Sequence, residues 1–186
     1  MAVDPKDLGP LAGLVGSWEG SDGLDVAYSH SRGTIWETPY REKASFSSFG
    51  PVDNGKQCLF GLDYRSAMWR DDEENPFHTE IGYWLWDAAA GSVMRCFMVP
   101  RGSVVFAGGT AAAGDVKFSL AAELGSLDFG VLSNPYLNGA AKVIGYTADI
   151  VADGNSYSYT QDTTLEMLEI EGTFHHTDRS TLHRVD

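Results

Sequence analysis

The sequence predicts an all-β protein: a roughly ten-stranded antiparallel up-and-down β-barrel with a short helical turn at its N-terminus. Three observations carry that prediction. Glycine is abundant, at 21 residues, beside 5 Trp, 8 Tyr and 9 Phe, the mixture that short strands and tight turns ask for. Turn signals recur along the chain: Asp53-Asn54-Gly55, Asp87-Ala88-Ala89-Ala90-Gly91, Ala113-Gly114-Asp115 and Asp153-Gly154-Asn155. Between them, apolar residues alternate with a period of two, so each strand turns one face toward a core. Closing such a meander removes its exposed edges, and a barrel beyond about eight strands has an interior wide enough for a ligand.

The elements follow in order. Residues 7–14 read as a helical turn that plugs one end of the barrel. Strands are expected at 15–20, 25–30, 40–46 and 57–68, with Cys58, Phe60, Leu62 and Tyr64 alternating in the last of these. Further strands are expected at 77–86, 92–99, 104–107, 116–123, 142–151, 157–167 and 173–183. No other segment keeps a helical period, and no internal repeat, low-complexity tract or linker interrupts the chain. One domain spanning 1–186 is the expectation at this length.

Charge and motif content exclude several functions. The 26 acidic residues against 13 Lys and Arg give a net charge of −13, which opposes binding to nucleic acid or to an anionic membrane. No apolar stretch approaches the ~20 residues that span a bilayer, and the first residues lack a secretory pattern, so a soluble cytoplasmic protein is expected. Phosphate-binding glycine loops and the Gly-x-Ser-x-Gly nucleophile turn are missing. Cys58 and Cys96 have no metal or redox spacing and are expected as buried free thiols. Asp71-Asp72-Glu73-Glu74 lacks the spacing of a calcium loop and reads as a solvated turn.

The histidines carry more information. His30 lies in a polar stretch and is expected at the surface. Alternation in Phe77–Trp86 groups His78, Glu80, Gly82, Trp84 and Trp86 on one face. That face reads either as the wall of a partly polar pocket or as a structural His–Glu hydrogen bond beneath the barrel rim. In the last strand Phe174, His176, Asp178, Ser180 and Leu182 share a face, with His175, Thr177, Arg179, Thr181 and His183 opposite. A neutral imidazole on the inner face suits iron or zinc, with a nearby carboxylate to orient it; the other reading is a His–Asp pair closing the barrel seam.

The opening Gly16-Ser17-Trp18-Glu19-Gly20 resembles the Gly-x-Trp-x-Gly start of the nitrobindins, small haem-binding β-barrel proteins related to the C-terminal domain of a human THAP protein. Phe77-His78-Thr79-Glu80-Ile81-Gly82-Tyr83 is similar to that family's Met-His-x-Glu-x-Gly-Tyr strand, and Pro100-Arg101-Gly102 falls where the family has a Thr-Gly turn. The tail is similar to a bacterial subgroup. The resemblance implies a ten-stranded barrel shaped like the lipocalins and fatty-acid-binding proteins. It further implies ferric haem b held by one last-strand histidine, with nitric oxide binding and peroxynitrite isomerisation at the iron. Carried across, His176 (His175 as the alternative) is the iron ligand, His78 the distal histidine, and Gly16, Trp18 and Gly20 a structural brace. The chain departs from the family at Asp22, where a third glycine is usual, and at Thr177-Asp178-Arg179, where an apolar residue usually follows the ligand.

Two further functional readings stand beside this one. In a haem-free carrier of a hydrophobic, fatty-acid-like molecule, Trp84, Trp86, Phe60 and Tyr64 line the cavity while His78 and Glu80 anchor a polar head. In a metal-free enzyme, His78 and Glu80 serve as acid and base. The sequence leaves a homodimer open.

Overall fold

The computed structural model describes residues 3–71 and 73–185. Eleven strands form one sheet: β1 (Gly16–Ser29), β2 (Thr34–Asp53), β3 (Cys58–Trp69), β4 (His78–Asp87), β5 (Ser92–Val99), β6 (Ser103–Thr110), β7 (Lys117–Glu123), β8 (Val131–Ser133), β9 (Ala141–Ala152), β10 (Ser156–Met167) and β11 (Thr173–Arg184). Sequential antiparallel pairing, with β11 returning to β1 and β7 pairing with β9, closes a ten-stranded barrel; the three-residue β8 adds only to the edge of β6. This is the predicted architecture.

The hairpin signals hold, since all four turn motifs lie between strands. Three expectations change. Residues 15–20 and 25–30 belong to one long strand, β1, whose register shifts between Gly20 and Gly23. A Cβ on Gly23 would lie 2.2 Å from the Tyr40 ring, so the missing side chain lets that ring cross the bulge. β2 extends over 20 residues rather than the core 40–46, because its polar ends still pair with β1 and β3. A short helix, α1 (Pro135–Ala140), follows β8; Asn134 caps it by accepting a hydrogen bond from the Leu137 N–H at 3.0 Å. Six residues are too few to show a helical period.

Pro5–Leu14 forms 3-10 turns that plug one end of the barrel, with Leu8, Leu11 and Leu14 buried. At Gly9, φ is 53° and a Cβ would lie 2.4 Å from Nε1 of Trp86, so only glycine lets the plug reach that ring. Trp18 donates from Nε1 to the Leu14 carbonyl at 2.7 Å and carries Arg184 over its ring at 4.5 Å. Trp18 thus ties the plug to the barrel wall.

Both cysteines are free, but Cys58 is exposed and Cys96 half-buried. Cys58 opens β3 beside the β2–β3 turn, where the strand has already left the core. His30 is exposed, and so are Asp71, Glu73 and Glu74 of the acidic turn; Asp72 lies outside the described residues. Among the described residues no helix is long and apolar enough to cross a membrane.

Candidate functional site

Inward positions change character along each strand, from the plugged end to the opposite mouth. On β4 they run Trp86, Trp84, Gly82, Glu80, His78; on β11 they run Leu182, Ser180, Asp178, His176. β5 gives Val93, Arg95, Phe97, Val99. The plugged half is therefore packed with large apolar side chains, a polar layer crosses the middle, and the mouth half is left open.

The open half holds a cavity of about 510 Å³, inside the range of about 300–1,000 Å³ typical of ligand sites. Its apolar wall includes Phe77, Phe97, Val99, Val143 and Leu165, and both His78 and His176 border it. His176 faces inward as alternation predicts, and its Nε2 bonds Asp25 Oδ1 of β1 at 2.6 Å across the β1–β11 seam. The carboxylate accepts, so Nε2 carries the proton, and among the described residues Nδ1 has no hydrogen-bond partner. His175 points outward, its side chain 59% exposed, and pairs with Asp162 at 2.7 Å. A one-residue step in register separates the two histidines by the full thickness of the wall.

His78 Nε2 lies 3.3 Å from Glu80 Oε1. The imidazole borders the cavity while holding that bond. Burial disfavours the charged ring, yet the bond and charge of Glu80 outweigh it and raise the His78 pKa. Glu80 itself is 3% exposed. Burial works against its ionisation, but the adjoining Arg95 guanidinium, His78 and Tyr64 hold its pKa down to about 2. Arg95 donates to Glu80, to Tyr64 Oη at 2.7 Å, to Tyr146 Oη at 2.5 Å and to Gln161 Oε1 at 3.2 Å. The guanidinium also sits 4.3 Å from the Phe97 ring centre and 5.0 Å from that of Trp84.

A second set of buried polar groups adjoins this one. Gln161 donates to Asp178 at 3.0 Å, Tyr40 donates to Asp178, the Tyr40 and Tyr159 hydroxyls are 2.9 Å apart, and Tyr159 reaches Glu42 at 2.9 Å. Ser66 closes the set by donating to Glu42 at 2.5 Å. The row Glu42–Tyr159–Tyr40–Asp178 contains three contacts, but the two tyrosines supply only two protons. A carboxyl proton must fill the third. Burial, with the Asp178 charge adding, lifts the Glu42 pKa to about 7, and burial lifts Asp178 to about 6, which makes such a proton available near neutrality.

Of the residues singled out from sequence, His78, Glu80 and His176 meet at the cavity. Tyr64 lies in the polar layer. Trp84 and Trp86 are buried in the plugged half and Phe60 packs against that core, away from the cavity wall. Sequence reasoning passed over Arg95, Glu42, Tyr146, Gln161 and Asp25. Arg95 left a signal: it occupies an inward slot between Val93 and Phe97, where an apolar residue is the norm. Among the described residues no cluster of three or more His, Cys, Asp or Glu forms a metal cage.

Comparison with known proteins agrees with this architecture. A family model described as "THAP4-like, heme-binding beta-barrel domain" matches residues 7–184. The chain is also similar to the crystal structure of Rv2717c from M. tuberculosis, with a TM-score of 0.72, 21% identity and full coverage of both chains. At that identity the likeness speaks for the fold alone. A search of the curated proteins gives no match.

Proposed function

The chain belongs to the THAP4-like, heme-binding β-barrel family, and on that premise we propose that it binds ferric haem b in the mouth-side cavity with His176 as the protein ligand to iron. The observation that carries this reading is the placement of two imidazoles, His176 and His78, on the wall of one largely apolar cavity of about 510 Å³. The donor set fits a haem. His176 offers its imidazole Nδ1, while Asp25 at Nε2 fixes the orientation of the ring. The apolar walls suit a flat hydrophobic macrocycle and limit water.

When bound, the haem supplies a ferric centre for nitric oxide binding or peroxynitrite isomerisation. The protein's own share is positional. Glu80, kept ionised by Arg95, accepts from Nε2 of His78 and fixes that ring against the cavity. His78 thereby presents a polar, proton-bearing group beside the apolar side chains of Phe77, Phe97 and Val99. Arg95 keeps Glu80 charged without facing the ligand, since its guanidinium is buried in the layer below.

The apolar walls also favour a second reading, a metal-free carrier of a hydrophobic small molecule in the same cavity. Titration with hemin, followed by ultraviolet–visible absorption, separates the two. A saturable one-to-one Soret band, lost in His176→Ala and retained in His175→Ala, is expected. Absence of any Soret shift at several equivalents would overturn the haem reading in favour of the carrier.

A further inference from the structure

The polar groups of the cavity are not evenly distributed. Its acidic side chains, Asp25, Glu80 and Asp178, are mostly buried, and each is already committed: to His176, to Arg95, and to Tyr40 with Gln161. Its guanidinium side chains, Arg70 and Arg101, are exposed. Arg70 is engaged, lying 3.6 Å from Glu73 and 4.3 Å from the Phe77 ring centre. Arg101 is different. Among the described residues its guanidinium has no hydrogen bond, ion pair or aromatic partner, in a chain with twice as many acids as Lys and Arg.

The backbone beneath Arg101 is held firmly. Gly102, at φ 85°, closes the β5–β6 turn by donating to the Val99 carbonyl at 2.9 Å. Asn134, the cap of α1, donates to the Arg101 carbonyl at 2.6 Å, and its own N–H donates to the Gly102 carbonyl at 3.1 Å. Two separate segments thus fix the base of an arginine whose charged end, exposed at the rim, meets no partner among the described residues. Arg101 also borders a smaller adjoining space of about 140 Å³ beside α1 and His176, so it stands where the two spaces meet.

We propose that Arg101 is the anion seat of the cavity, receiving a carboxylate of an amphiphilic ligand whose apolar body lies inside. The buried acids repel an anion from the floor, so the carboxylate stays at the rim and the ligand enters body first. A guanidinium suits this task because it offers paired N–H donors that match a carboxylate. The inference rests on the ligand cavity of the previous section, but not on the iron. The same chemistry is offered by a porphyrin carboxylate and by a fatty acid.

The test compares each acid with its ester on the full chain. Protoporphyrin IX and its dimethyl ester, then cis-parinaric acid and its methyl ester, are titrated into the wild type, Arg101→Ala and Arg101→Lys. Binding is read by quenching of tryptophan fluorescence for the porphyrins and by probe emission for parinaric acid. The acid-over-ester preference should fall about tenfold in Arg101→Ala, as loss of one hydrogen bond to a charged group implies. Arg101→Lys should keep part of the preference, and ester affinity should not move. A preference unchanged in Arg101→Ala, or equal losses for acid and ester, overturns the proposal. If the porphyrins fail to bind, the parinaric pair decides the seat by the same ratio, and the haem reading stands or falls by the hemin titration. Binding by neither pair overturns the proposal.

Discussion

Replacing Glu42 by Gln tests the proton count in the polar layer. Glu42 is 2% exposed and faces Ser66 and Tyr64 of β3, Glu80 of β4, Arg95 of β5, Tyr157 and Tyr159 of β10, Asp178 of β11, and Tyr40 on its own strand. Its pKa rises from 4.5 to about 7 in the folded chain, because burial and the neighbouring carboxylates disfavour ionisation. Since the folded value lies above the unfolded one, the group's contribution to stability is complete below pH 4.5 and is lost as pH rises through 7. A gap of 2.5 units (7 minus 4.5) corresponds to ~3 kcal/mol at about 1.36 kcal/mol per unit. The Gln amide keeps the size of the carboxyl group and its capacity to hydrogen-bond Tyr159 and Ser66, yet it cannot titrate. Glu42→Gln should therefore match the wild type within about 1 kcal/mol at pH 4 and gain ~3 kcal/mol on it by pH 8. In melting temperature the relative gain is roughly 6–12 °C for a chain of this size. Urea denaturation at pH 4, 6 and 8, with both proteins side by side, measures it. Parallel stability–pH curves would refute the reasoning, because they would mean that Glu42 is already ionised in the folded protein at low pH.

Three other outcomes follow from the packing. Arg95→Met leaves Glu80 buried without its counter-charge and should cost about 3–5 kcal/mol by urea denaturation; Arg95→Met with Glu80→Gln should recover part of that loss. Trp18→Phe and Trp84→Phe remove similar volumes, but the Trp18 indole has a hydrogen-bond partner, while Nε1 of Trp84 is buried with none among the described residues. Denaturation should show ~2 kcal/mol lost at Trp18 and a change within about 1 kcal/mol at Trp84. Gly82→Ala places a Cβ 1.9 Å from the Cys96 carbonyl oxygen and 2.8 Å from Cα of Phe97, so β4 must separate from β5. A loss of about 3 kcal/mol in thermal or urea unfolding is expected.

Local patterns were legible in the sequence, and long-range partners were not. A period of two is a property of neighbouring residues, so the faces of β4 and β11 could be read, including the inward turn of His176. The partner of His176 could not: Asp25 is 151 positions away and meets it only because β11 closes on β1. Trp84 and Trp86 share a face with His78, yet alternation places residues on a face without saying how far along the barrel axis they lie. The plug fills their end and leaves the cavity to the other. Arg95 carried a signal in its own strand, but its partners come from β3, β4, β9 and β10.

The polar layer is hard to explain as a stabilising device. A buried ion pair seldom outperforms apolar packing of the same volume, and Arg95, Glu80, Glu42 and Asp178 occupy slots that Leu or Phe could fill. The plugged half shows that this chain can pack such slots, since Leu62, Trp84, Ile150 and Leu182 are all but inaccessible there. What apolar packing could not do is hold an imidazole. With Glu80 replaced by an apolar residue, His78 would lose the acceptor that fixes its ring and would face a greasy floor beneath an open cavity. The layer thus converts a rigid apolar half-barrel into a polar floor on which two histidines stand, His78 through Glu80 and His176 beside Asp178. The stability forgone in the middle of the barrel is explicable as the cost of a preorganised site at its mouth.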